Sequence, residues 1–226
     1  MRRTVVLMRR TVVLVRRTVV LVRRTVAALG LVALLAGCGA SGGAQPRPSE
    51  LNDHTDSTYS GLGLTPPQPR PQFTLTDTAG RPYRFGSATA GKPTLLYFGY
   101  THCPDVCPTT LADIAQALQA VPVRVRQLTQ VVFVTTDVKR DTPAVLKRYL
   151  AQFDPGLPNP FVGLTGSQAQ IDAAQVAAHV ALAQDDGQTH AAQVLLYGSD
   201  DYAHVAFLQS TDETGQISHD LPLVAK

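Results

Sequence analysis

Two cysteines four positions apart are the residues of this chain best suited to chemistry. Cys103 and Cys107 lie between an apolar run and a stretch with helical spacing, which predicts that a strand passes into a helix there. Unpaired N–H groups and the dipole at a helix N-terminus favour thiolate over thiol. Because side chains four residues apart share one face of a helix, the two sulfur atoms can reach the same ion.

A thiolate pair of this kind can bind a metal or exchange disulfides. Soft sulfur ligands select copper(I), zinc or iron–sulfur centres, and two thiolates with one imidazole suit copper in either oxidation state. A structural zinc site would need a fourth ligand from elsewhere. In disulfide exchange one thiolate attacks and the other resolves, but three residues rather than two separate these cysteines. A peroxidase with one reactive cysteine and a plain structural disulfide are further alternatives.

Apolar runs and helical spacing alternate along the part of the chain that must position the pair. The predicted strands are 73–77, 83–85, 93–98, 131–134, 193–197 and 204–208, and the predicted helices are 109–118, 142–149 and 167–178. Thr142 is the expected N-cap of the second helix, with Pro143 in its first turn. This order predicts an α/β domain with a thioredoxin-like three-layer fold, a mixed central sheet and a β-hairpin insertion.

Three motifs in family order give the cysteine pair a closer interpretation. The segment 99–108 reads GYTHCPDVCP, 133–143 reads FVTTDVKRDTP, and 163–166 reads GLTG. Together they resemble the Sco/SenC family of copper chaperones, and the resemblance spans about residues 72–208. It implies a thioredoxin-like fold, copper(I) or copper(II) held by both cysteines and one distal histidine, and delivery to the binuclear copper centre of cytochrome c oxidase subunit II.

The same resemblance implies which other residues serve the site. His190 matches the family's distal histidine, although Thr189 stands where the family usually has aspartate; His204 and His102 are the alternatives. Asp137 is expected near the metal, where it would orient a ligand or contact a partner, unless it only caps a strand end. The resemblance favours a metal carrier over an enzyme, with thiol–disulfide reductase activity as the alternative or as an accessory activity, and it leaves room for another periplasmic copper chaperone as partner.

The N-terminal part of the chain is typical of an exported bacterial lipoprotein. Residues 1–37 contain a repeated RRTVVL segment, so the true start is open, and they end in a basic and then apolar signal peptide. Leu35 to Cys38 resemble a lipobox, which implies cleavage before Cys38 and lipidation of its thiol. Residues 38–71 are predicted to be a flexible Pro- and Gly-rich tether, and residues 72–226 the copper-binding domain. We expect this domain at the membrane on the extracytoplasmic side of the cell envelope.

The charge balance excludes one class of partner. The first 37 residues hold eight arginines and no acidic residue, whereas the rest of the chain has 12 basic and 17 acidic residues. The net positive charge of the whole chain therefore belongs to the targeting segment. No basic domain remains that would predict nucleic-acid binding.

Overall fold

The computed structural model describes residues 58–226, which form one mixed α/β domain. The predicted signal peptide, Cys38 and most of the predicted tether lie outside the described residues. The strands are β1 (Leu62–Pro69), β2 (Thr74–Asp77), β3 (Pro82–Arg84), β4 (Thr94–Gly99), β5 (Gln130–Thr135), β6 (Val162–Thr165), β7 (Gln193–Tyr197) and β8 (Tyr202–Leu208). The helices are α1 (Phe85–Thr89), α2 (Val106–Ala120), α3 (Val123–Leu128), α4 (Pro143–Leu150), α5 (Gln168–Ala177) and α6 (Glu213–Val224), with a 3₁₀ turn at Asp185–Gly187.

Within the described residues the strands form one sheet in the order β1-β8-β7-β4-β5-β6-β2-β3. The central strands β4, β5 and β6 run parallel, and the strands outside them are antiparallel to their neighbours. Strand β4 is buried along its whole length, as expected for an apolar strand covered on both faces. The carboxyl ends of β4 and β5 therefore meet at one edge of the sheet, the usual place for a site in such folds.

Two apolar cores, one on each face of the sheet, make the fold three-layered. Helices α2, α4 and α6 cover one face, where Leu111, Leu146 and Ile217 are completely buried. Helices α1 and α5 cover the other face, where Phe85 and Ile171 are equally inaccessible. This arrangement confirms the predicted α/β fold with a mixed central sheet.

The helix starts follow the predicted capping. The Thr142 side chain accepts a hydrogen bond from the Val145 N–H, and Pro143 begins α4. Ser167 caps α5 in a capping box with Gln170, in which each side chain bonds the other's backbone N–H. These local bonds satisfy donors that a helix leaves unpaired in its first turn.

The prediction that the tether extends to residue 71 is wrong at its C-terminal end. Strand β1 pairs with β8, and the register shifts between Gly63 and Gln68, the stretch that contains Pro66 and Pro67. Proline lacks a backbone donor, but an edge strand needs to pair on only one side and can accommodate it. The folded domain therefore begins earlier than the predicted boundary at residue 72.

The C-terminal segment, for which no element was predicted, forms helix α6 and packs against α2. The buried carboxylate of Asp220 on α6 accepts hydrogen bonds from the backbone N–H groups of Ser60 and Gly61, both at 2.8 Å. Helix α6 thereby holds the residues that lead into β1. Among residues 58–226, no helix combines the length and the apolar character needed to cross a membrane.

Candidate metal centre

The cysteine loop joins the end of β4 to the start of α2. Cys103 is half-buried in this loop, whereas Cys107 lies in the first turn of α2 and is completely buried. Both are reduced thiols, and the Cys103 sulfur accepts a hydrogen bond from the Cys107 N–H at 3.3 Å. The two cysteines therefore lie beyond the carboxyl end of the central strand β4, as predicted from the strand-to-helix transition.

Gly99, the first residue of the cysteine motif, makes room for the buried thiol. A Cβ atom at this position would lie 2.9 Å from the Cys107 sulfur and 3.0 Å from the Phe133 ring. The first distance is shorter than real Cβ atoms show and the second is tighter than most of their contacts, so a larger residue would require Cys107 and the Phe133 ring to shift. Glycine is required at position 99 because the Cys107 sulfur atom lies close to its backbone.

His190, the third candidate ligand, approaches the dithiol from a second loop, the one between the 3₁₀ turn and β7. The His190 Nε2 atom lies 3.5 Å from the Cys107 sulfur, although 83 positions separate the two residues in sequence. Sulfur and nitrogen bound to one tetrahedral ion at the bond lengths known for zinc would stand about 3.5 Å apart. The observed separation therefore fits two ligands of one ion.

The tautomer of His190 also suits a ligand. Its Nδ1 atom lies 3.2 Å from the Ala191 carbonyl oxygen, which can only accept, so Nδ1 carries the proton and Nε2 keeps its lone pair toward the sulfur. Burial lowers the pKa of His190 below its ordinary value, and the bond to Ala191 offsets only part of that effect. The imidazole is thus neutral at neutral pH, the form that binds metals.

The two thiols differ in their readiness to ionise. Partial burial disfavours the Cys103 thiolate, but hydrogen bonds from the N–H groups of Cys107 and Asp105 and from the Cys107 and Tyr100 side chains outweigh it, so the pKa of Cys103 lies below its ordinary value. Deeper burial raises the pKa of Cys107 to about 12, despite a smaller opposing effect of nearby donors. Cys103 is the reactive thiol of the pair.

This difference predicts selective alkylation of the reduced, metal-free protein. Iodoacetamide at neutral pH should modify Cys103 at least about tenfold faster than Cys107, because the thiolate is the nucleophile and Cys107 is also inaccessible. Peptide mass spectrometry at short reaction times measures both rates. In urea the two rates should converge, and equal rates in the folded protein would show that the asymmetry is absent.

The loop that carries His190 is anchored to the end of β5. The Thr136 hydroxyl donates a 2.6 Å hydrogen bond to the Gly187 carbonyl, and the Thr136 N–H donates to the Gly99 carbonyl at 2.7 Å. Gly187 has a φ of +90°, and a Cβ atom there would lie only 2.0 Å from the Thr136 carbonyl oxygen. Thr136 and Gly187 therefore set the position of the histidine loop relative to the cysteine loop. Neither stands out in the sequence as a site residue.

Asp141 supports the cysteine loop through hydrogen bonds to the residue at its start, Thr101, and to the end of β5. Its completely buried carboxylate accepts hydrogen bonds from the Thr101 N–H at 2.9 Å, the Thr101 hydroxyl at 2.6 Å and the Thr135 hydroxyl at 2.6 Å. His102 is exposed, and its Nδ1 atom lies 3.5 Å from the same carboxylate. His102 thus belongs to the support of the loop.

The remaining sequence candidates are paired with residues other than the two cysteines. The buried carboxylate of Asp137 is ion-paired with Arg140, whose guanidinium lies 6.0 Å from the centre of the Tyr100 ring. His204 pairs with Asp200 at the opposite end of the β7–β8 hairpin from His190. Thr189, which replaces the expected aspartate, donates to a carboxylate after all, that of Asp185 at 2.8 Å.

The candidate ligands meet in pairs, with Cys107 as the common member. Across residues 58–226, no group of three or more His, Cys, Asp and Glu side chains is arranged so that it could hold a metal ion as it stands. An open cavity of about 330 Å³ borders Cys103 and His190, and Tyr100, Pro104, Val106 and Ala192 supply most of its apolar lining. Through this cavity an ion or a partner molecule can approach the two residues.

Comparison with known proteins places this fold and these motifs in one family. The family model described as SCO1/SenC matches residues 64–225, a longer span than the motifs alone suggested. The mitochondrial protein SCO2 of Saccharomyces cerevisiae is 33% identical over 147 residues, which cover 64% of this chain and 46% of that protein. The chain spans about half the length of the first curated relatives it matches.

Solved structures give the same result. ScoI of Bradyrhizobium japonicum, determined with copper bound, is 33% identical, with a TM-score of 0.57 over 69% of this chain and 99% of that one. A SCO1/SenC family lipoprotein of Bacillus anthracis is 23% identical and shares the fold, with a TM-score of 0.61 over 72% of this chain and 99% of that one. From its motifs, its fold and the extent of these matches, the chain belongs to the SCO1/SenC family.

Proposed function

We propose that this protein is a copper metallochaperone whose ligands are Cys103, Cys107 and His190. The observation that carries the proposal is the 3.5 Å approach of the His190 Nε2 atom, with its lone pair, to the buried Cys107 sulfur. Two thiolates and one neutral imidazole form a soft donor set that suits copper in both oxidation states. The ScoI relative with copper bound supports the same choice of metal.

The proposed role is transfer of copper to another protein. Three ligands leave the ion under-coordinated, and the cavity beside Cys103 and His190 gives an incoming ligand access to it. The family resemblance points to the binuclear copper centre of cytochrome c oxidase subunit II as recipient, and it leaves room for another periplasmic copper chaperone as donor. Asp137 would act on the site through Arg140 and the Tyr100 ring.

The proposed location is the extracytoplasmic face of a bacterial membrane. Signal cleavage before Cys38 and lipidation of its thiol would leave the domain on a tether that leads to Ser60, Gly61 and strand β1. The Bacillus anthracis relative, itself described as a lipoprotein, supports this arrangement.

A copper titration tests the ligand set. The chain carrying Cys38→Ser, so that the third cysteine contributes no thiolate, is reduced and titrated anaerobically with copper(I) against a chromogenic competitor. We expect one tight equivalent, with an affinity loss of at least about a hundredfold in Cys103→Ser and at least about tenfold in His190→Ala, since partners outside the ligand shell alone contribute 10–100-fold. His204→Ala is the matched control and should bind like the parent chain. Binding by Cys103→Ser as tight as that of the parent would refute the proposal.

A thiol–disulfide oxidoreductase is the second candidate, and the asymmetry of the two cysteines favours it. An accessible cysteine of lowered pKa beside a buried one of raised pKa is the arrangement expected of an attacking and a resolving thiol. Such a reductase could reduce the copper-binding cysteines of the oxidase subunit. His190→Ala separates the two functions, because it should weaken copper binding while leaving exchange with a model disulfide intact.

A further inference from the structure

One buried polar group beside the site has no partner. Tyr97 lies on β4 and is completely inaccessible to solvent, and its ring makes edge contacts with the rings of Phe133 and His190, with centroids 5.7 and 6.2 Å away. Its hydroxyl oxygen is buried and makes no hydrogen bond. A buried hydroxyl left unpaired costs about 1–3 kcal/mol, so its retention calls for a physical reason.

The surroundings of this hydroxyl point to the Cys107 sulfur as its acceptor. The hydroxyl lies next to the Cys107 thiol and the Thr110 side chain, although neither meets it in hydrogen-bond geometry. A thiol is a weak acceptor, whereas an ionised group forms the stronger kind of hydrogen bond. The Tyr97 donor therefore gains its best partner only when Cys107 is a thiolate.

We propose that Tyr97 is a positioning residue for the metal centre, and that its hydroxyl donates a hydrogen bond to the Cys107 sulfur in the thiolate that copper binding requires. The inference rests on the proposed copper-binding function. A donor that is unpaired in the metal-free protein becomes paired on loading, so the bond favours the loaded state over the empty one. The ring already contacts the His190 imidazole and packs in the same core cluster as Cys107, so pairing on loading requires the oxygen and sulfur atoms to shift into hydrogen-bond geometry.

Cys107 needs such a donor more than Cys103 does. The half-buried Cys103 sulfur accepts a hydrogen bond from the Cys107 N–H at 3.3 Å, whereas the Tyr100 backbone N–H lowers the pKa of the Cys107 thiol without offsetting its burial. Cys107 is completely buried in the apolar core, and its sulfur lies close to the Gly99 backbone. A single phenol donor at this position makes a buried thiolate less costly without opening the core to solvent.

The test is Tyr97→Phe in the Cys38→Ser chain, with Tyr197→Phe as a matched control. Tyr197 is another completely buried tyrosine whose hydroxyl has no partner, but it lies in the core on the opposite face of the sheet. Tyr97→Phe should weaken copper(I) binding about 10–100-fold and shift the energy of the thiolate-to-copper(II) charge-transfer band. Tyr197→Phe should change neither, and both variants should remain folded because each removes only one oxygen atom.

A second readout keeps this inference separable from the proposed function. In the metal-free protein, alkylation of Cys107 at one fixed alkaline pH should be about tenfold slower in Tyr97→Phe, because its thiolate has lost a donor. If the parent chain fails to bind copper but this slowing is observed, the copper function is wrong and the contact between Tyr97 and Cys107 stands. Unchanged copper affinity, charge-transfer band and alkylation rate in Tyr97→Phe would overturn the inference.

Discussion

Replacing Asp141 by alanine is expected to lower the free energy of unfolding by about 3–5 kcal/mol and to abolish tight copper binding. The Asp141 carboxylate accepts three hydrogen bonds, from the Thr101 N–H, the Thr101 hydroxyl and the Thr135 hydroxyl, and all of them would lose their acceptor. Few single substitutions lower the free energy of unfolding this much, and removing a buried carboxylate so that its donors are left unpaired is one of them. The cysteine loop would lose its support at Thr101, two residues before Cys103.

Urea unfolding followed by circular dichroism measures the stability, and the copper(I) titration measures the site. Asp141→Asn keeps one acceptor oxygen and should fall between alanine and the parent chain. Asp172→Ala, which removes a carboxylate at the surface of α5, should change stability by no more than about 0.5 kcal/mol. A parent-like stability of Asp141→Ala would mean that water or other groups replace the carboxylate.

Replacing Glu213 by glutamine should stabilise the protein at alkaline pH and have little effect in acid. Glu213 is almost fully buried at the start of α6, where burial, reinforced by the nearby Asp113 carboxylate, raises its pKa to about 7. Its one hydrogen bond to a described side chain is a long one, 3.4 Å, from the Thr110 hydroxyl. The helix N-terminus favours a carboxylate there, but burial outweighs that effect.

The direction of the pH dependence follows from the raised pKa. Below about pH 4.5 the folded and unfolded states both carry the proton, so ionisation of Glu213 costs nothing. As the pH rises from there to about 7, the unfolded state loses its proton first and the folded state is penalised, by up to about 3 kcal/mol above pH 7. Glutamine stays neutral throughout and should remove most of this penalty.

Unfolding curves at pH 5 and pH 8 for the parent chain and Glu213→Gln measure the effect. The change in the free energy of unfolding caused by the substitution is compared between the two pH values. Asp212→Asn is the matched control, because it removes a neighbouring exposed carboxylate at the same helix start. That control should shift stability equally at both pH values. A Glu213→Gln effect that does not grow with pH would show that the buried carboxyl is not neutral in the folded state.

The elements that carry the cysteines are predictable because their signals are local. A continuous apolar run specifies β4, helical spacing specifies α2, and Thr142 with Pro143 specifies the start of α4. Strand β1 escapes prediction because prolines usually signal a linker, and only its pairing with β8 makes it a strand. Helix α6 escapes because its apolar positions are few and Pro222 interrupts them, so packing against α2 must stabilise it.

The site is predictable only in part, because only some of its signals are local in sequence. The cysteine pair is visible in the sequence as a motif, and His190 is identified through the family resemblance. The supports of the site depend on contacts between residues far apart in sequence, such as Asp141 with Thr101 and Thr136 with Gly187. Burial of the Tyr97 hydroxyl beside sulfur is likewise a property of the packed core, and no spacing rule reveals it.

The place of β1 in the sheet has a consequence for the order of folding. The chain's first described strand pairs only with its last strand, β8, and its leading residues are held by the still later helix α6. Such pairing closes a loop of more than 130 residues, the kind of non-local contact that slows folding. During synthesis, β1 stays without its partner until β8 has been made. The protein therefore completes its sheet only when nearly the whole chain is available, a sequence of events compatible with the proposed export of the chain in an unfolded state.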